Sequence, residues 1–134
     1  MTPFFGFKYS KAIHDIVSTP AGKFGCKLAG KSAPQLAVAI ENNARSAVPL
    51  WKRTGHSPKQ AAIVAVGLAI ENYRASEKKE PMNGAVSVAL RRALAEIAQT
   101  DGHADFVAEV LSWCDEQENG RGLMQGDTST GGQR

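Results

Sequence analysis

The chain has 134 residues, 43% of them hydrophobic and 22% charged, which fits one globular domain and excludes collagen-like, coiled-coil-only and wholly disordered chains. No apolar run approaches the roughly 18 residues that a bilayer span requires, and the opening MTPFFGFKYSK lacks the basic-then-apolar order of a secretion signal, so a soluble, unsecreted protein is expected. The net charge of +3 conceals a polarity: residues 1–59 carry nine Lys/Arg against Asp15 and Glu41, whereas residues 96–134 carry Arg121 and Arg134 against eight Asp/Glu. Such asymmetry bears on association with an acidic partner, a phosphate backbone included, or with a neighbouring copy.

In chain order, residues 1–9 hold Phe4, Phe5, Phe7 and Tyr9 around Pro3 and Gly6. That stretch is too short for an element of its own and reads as an aromatic N-terminal arm. Ser10 is placed as the cap of a short helix in which Tyr9, Ile13, His14, Ile16 and Val17 share a face, ended by Pro20 and Gly22. Residues 20–32, PAGKFGCKLAGKS, read as a basic loop because three Gly and three Lys interrupt any apolar period. Ser32 with Pro34 starts a helix carrying Leu36, Ile40, Ala44, Ala47 and Val48, which stops near Pro49. Thr54-Gly55 forms a turn, and Ser57-Pro58 repeats the cap-and-proline signal ahead of the clearest helix. From Ala61 to Ile70 that helix is apolar at every position, the pattern of a central helix surrounded by others.

After the charged link Glu77–Pro81, Asn83 is read as the cap of a helix with the stripe Val86, Leu90, Ala93, Leu94 and Ile97 and with Arg91-Arg92 facing away. Thr100-Asp101-Gly102 closes it. A last helix sets Phe106, Val107, Val110, Leu111 and Cys114 against Glu109, Asp115, Glu116 and Glu118, and Gly120 ends it. Residues 119–134 read as a flexible Gly-rich tail. The expectation is an all-α, compact bundle of about five helices spanning residues 10–118, with a flexible arm before it and a tail after it.

The segment Gly25–Ser32 satisfies the string G-x-x-x-x-G-K-S, in which a loop of amides cradles phosphates, Lys31 reaches them and Ser32 holds a metal. That chemistry needs a buried strand to feed the loop, and Pro20–Phe24 supplies none, so no nucleotide site is expected. Cationic Lys23, Lys27, Lys31, Lys52 and Arg53 are candidate phosphate-contacting residues, with Phe24 or Trp51 able to stack on a base. Phe4, Phe5, Phe7, Tyr9 and Trp51 are the candidate partner interface. His14, His56, His103, Cys26 and Cys114 have no metal-ligand spacing, and no nucleophile signature is present, so neither metal, cofactor nor catalysis is expected. The two cysteines are expected as reduced thiols.

The stretch Gly55-His56-Ser57-Pro58-Lys59-Gln60-Ala61 through Ala69 resembles a Ser-Pro-Lys-Gln-Ala helix start of small bacteriophage-encoded proteins. It departs from the usual form in continuing to Glu71-Asn72-Tyr73 where that form ends in basic residues. The resemblance implies a phage or mobile-element origin and no catalytic residues. The expectation is therefore a non-enzymatic accessory protein acting by protein–protein binding, as a virion structural or assembly component located in the virion or host cytoplasm. Its partner would be another protein or further copies of the chain. A small basic nucleic-acid-binding module is the alternative, and an inhibitor of a host factor a further one.

Overall fold

The computed structural model describes residues 7–45 and 57–126, all of whose regular structure is helical. Six helices follow one another: α1 Phe7–Val17, α2 Pro20–Ala29, α3 Ala33–Asn43, α4 Pro58–Ala75, α5 Met82–Asp101 and α6 Ala104–Gly126. α4 sits at the centre and packs on α1, α3, α5 and α6, while α2 lies chiefly against α5. The expected bundle is what forms.

The starts of α3 and α4 are built alike. Ser32 Oγ accepts the Gln35 N–H at 3.2 Å while the Gln35 side chain accepts the Ser32 N–H at 2.9 Å. Ser57 and Gln60 repeat the reciprocal pair at 3.1 and 3.0 Å, so two orphan N–H groups are satisfied at each end. Burial then follows sequence. Ala61 to Gly67 and Ala69 to Glu71 are all buried, Leu68 being the half-buried interruption, and Ile13, Ile16, Leu36, Ile40, Ile63, Ile70, Leu90 and Leu94 close around them.

Gly67 sets how closely α6 approaches. A Cβ there would lie 2.5 Å from Val110 Cγ1, and the Cys114 thiol donates to the Gly67 carbonyl at 3.5 Å. Both Cys114 and Cys26 are free and buried, as expected for reduced thiols.

Several expectations are corrected. Residues 20–29 are not a loop but the helix α2: Thr19 Oγ1 accepts the Gly22 N–H at 3.1 Å, Pro20 occupies the first turn and Gly30 closes it at φ 70°. Pro20 thus opens a second helix instead of ending the first, which stops at Val17. Ser10 lies inside α1, which begins at Phe7. Asn83 lies inside α5, where Pro81 takes the cap position with no side-chain bond and Asn83 Nδ2 donates to Ser76 Oγ at 2.9 Å. Arg91 does not face away but pairs with Asp115 at 3.0 Å. α6 runs past Gly120 to Gly126. The expected helix end at Pro49, the Thr54-Gly55 turn and the tail beyond Gly126 lie outside the described residues.

Candidate binding surface on the second helix

α2 presents two faces. Gly22, Gly25 and Cys26 are buried, because the glycines allow contacts that no side chain could. A Cβ on Gly22 would meet the Val17 backbone at 2.5 Å, and one on Gly25 would stand 3.2 Å from the Ala89 Cβ. The opposite face carries Lys23, Phe24 and Lys27, all exposed, and Lys31 continues it in the turn. Lys23 and Lys27 are one turn apart and so share a side of the helix. Residues 20–45 contain one acidic residue, Glu41, and it is buried, so this end of the molecule shows cations unopposed by exposed carboxylates of its own helices.

Where α2 meets α5, the small residues Ala21, Ala85 and Ala89 leave an open groove of about 540 Å3 edged by Phe24, Val88, Arg92 and Glu96. Phe24 is 58% exposed and Val88 49%. Met82, 52% exposed, lies one turn before Ala85 on the same helix. Glu96 is engaged within the fold, its Oε1 accepting the Ala21 N–H at 3.3 Å and so satisfying a free donor at the positive end of α2. Arg92 is the cation on the edge of the slot, and Lys23 and Lys27 are exposed elsewhere on α2.

The G-x-x-x-x-G-K-S string does not form a phosphate loop. Gly25 to Ala29 belong to α2, and the Gly30 and Lys31 N–H groups donate back to the Lys27 and Cys26 carbonyls at 3.1 and 3.0 Å. Ser32 caps α3. The amides that would surround a phosphate are already bonded.

A second polar cluster lies in the seam of α4, α5 and α6. Glu71, 3% exposed, holds the Arg74 guanidinium through Oε1 at 2.8 and 3.2 Å, while its Oε2 is buried without a partner. Arg91 bridges to Asp115 and reaches Glu118 at 3.9 Å. Burial first, and then the Glu71 charge, pushes the neighbouring Cys114 thiol up to about 11, so it stays protonated near neutral pH. The Arg91–Asp115 pair joins α5 to α6 at a solvent-exposed site, whereas the Glu71–Arg74 pair lies within α4, where removing Arg74 would leave the buried Glu71 charge unpaired. Among the described residues no group of three His, Cys, Asp or Glu is placed to hold a metal, and no helix is long and apolar enough to cross a membrane.

Of the residues proposed from sequence, Lys23, Lys27 and Lys31 are brought together on one exposed face. Phe7 and Tyr9 fall in the first turn of α1. Phe4, Phe5, Trp51, Lys52 and Arg53 lie outside the described residues. Sequence reasoning picks out Phe24 only as a base-stacking candidate and misses Val88 and Arg92, because the groove joins elements some sixty positions apart. Comparison with family models, with curated proteins and with solved structures found no match to this chain.

Proposed function

We propose that the protein is a non-enzymatic binding protein that receives an apolar, acidic helical segment of a protein partner in the groove between α2 and α5. The observation that supports this reading is the exposure of Phe24 and Val88 on either side of one slot. A lone exposed apolar side chain is ordinary, whereas two that edge the same slot offer a partner one shared apolar contact. Arg92 on the rim and the exposed Lys23 and Lys27 of α2 favour an acidic partner, and a helix laid in a groove is a recurrent way to use such a shape.

The test is fluorescence anisotropy with a labelled amphipathic helical peptide, Leu and Trp on one side and Glu on the other. Phe24→Ser should weaken binding at least tenfold while leaving the melting temperature near that of the parent, since Phe24 is mostly in solvent already. Equal affinity of the variant and the parent overturns the reading.

The narrower setting, a bacteriophage virion or assembly component, is supported by the resemblance of Gly55 to Ala69 to phage-encoded helix starts. It is tested by probing purified particles for the chain. A host-factor inhibitor would use the same groove. The nucleic-acid reading is favoured by a different feature, the exposed series Lys23, Lys27 and Lys31 with no exposed acid on α2 or α3.

A further inference from the structure

We propose that the segment received by the groove is α6 of a second copy of this chain, giving a head-to-tail contact; this rests on the groove reading and names its occupant. α6 buries Val107, Val110 and Cys114 against the bundle. On another side it shows Glu109, Trp113 and Glu116 at successive turns, with Trp113 37% exposed. Glu109 and Glu116 make no ion pair with any described residue, whereas the neighbouring Asp115 and Glu118 are engaged by Arg91. An aromatic flanked by two free carboxylates is the chemical complement of an apolar slot that has Arg92 on its edge, has its Glu96 carboxylate bonded to the Ala21 N–H, and adjoins a helix with Lys23 and Lys27 exposed. Trp is also the side chain that most often anchors a contact of this kind.

The two surfaces cannot be the same patch. Arg92 lies on the side of α5 that faces α2, and Arg91 on the side that faces α6, so α5 stands between groove and Trp113. Each copy therefore offers one slot and one insert at different places, the arrangement that yields rings or open series and not a closed two-fold dimer. The polarity of the sequence has a use in this arrangement, because the cationic end of one copy meets the acidic end of the next. Each contact pairs the excess charge of two molecules.

The experiment uses the full chain. Light scattering coupled to size exclusion, at low salt and from micromolar to millimolar protein, should show a series of sizes that grows with concentration. Phe24→Asp, which spoils the slot, and Trp113→Ser, which removes the insert, should each be monomeric. Mixed in equal amounts they should form a one-to-one pair and nothing larger, because one good slot and one good insert remain. Should Trp113→Ser fail to fold, Glu109→Lys with Glu116→Lys, both at exposed positions, takes its place. A parent chain that stays monomeric, a single variant that still assembles, or a mixture that stays monomeric overturns the proposal. In each of those cases the acidic amphipathic peptide is added to the parent. Binding lost in Phe24→Asp leaves the groove reading standing with a different occupant, and no binding removes both.

Discussion

At Gly67 two opposing effects meet. Replacing a glycine in a helix interior by Ala gains about 1 kcal/mol of helix propensity, but the new Cβ would lie 2.5 Å from Val110 Cγ1. A valine has little rotamer freedom with which to move aside, and overpacking costs about 1–3 kcal/mol, so Gly67→Ala should lose about 1 kcal/mol net in urea unfolding. Cys114, next to it, couples stability to pH. Its folded value of about 11 lies above the ordinary 9.0, so from pH 9 upward the unfolded chain gives up the thiol proton while the folded chain keeps it. Stability contributed below pH 9 should thus decline until the folded thiol also ionises near 11. Cys26, raised by burial as well, adds to the same limb. Urea midpoints measured across this range should fall for the parent and fall less steeply for Cys114→Ala.

At the scale of the helix, α4 carries the most. Ile63 is wholly buried at its centre, and Ile63→Ala should cost about 2–5 kcal/mol through lost burial and the cavity left behind. Leu68, half-buried, should cost less on the same change, and the two variants together measure how far the burial of α4 is uneven. That α4 and α3 are legible in the sequence has a local cause. Ser57-Pro58 and Ser32 with Pro34 declare their own ends, and the capping-box glutamines three positions on from each serine are bonded as the spacing requires. α2 is not legible in the same way, although Thr19-Pro20 is the same kind of signal. Its Gly22 and Gly25 look like loop residues in one dimension and act as packing residues in three, one against the Val17 backbone and the other against Ala89. The spacing of Lys23 and Lys27 at one helical turn is the local signal that points to a helix there. Val88 and Arg92 carry none, because a groove between α2 and α5 is a property of packing, not of either segment.

At the scale of the whole molecule, charge separates the two ways in which the cationic end can be used. Phosphate contact releases condensed counterions, and the logarithm of affinity for a duplex falls by about 0.9 per contacted phosphate for each unit of log salt. Three contacts, from Lys23, Lys27 and Lys31, therefore give a slope near −2.7 and a loss of about 40-fold between 50 and 200 mM salt. A head-to-tail contact centred on Phe24 and Trp113 behaves differently. Its apolar centre is indifferent to screening, and its rim pairs, solvent-exposed at Arg92, Glu109 and Glu116, are worth about 0–1 kcal/mol each, so the same change of salt should weaken it only severalfold. Duplex DNA titrated by anisotropy at several salt concentrations, beside light scattering of the protein alone at the same concentrations, places both slopes on one axis. Triple replacement of the lysines by Ala should abolish the steep DNA slope and leave the Phe24 contact with most of its strength, because none of the three lysines lines the groove.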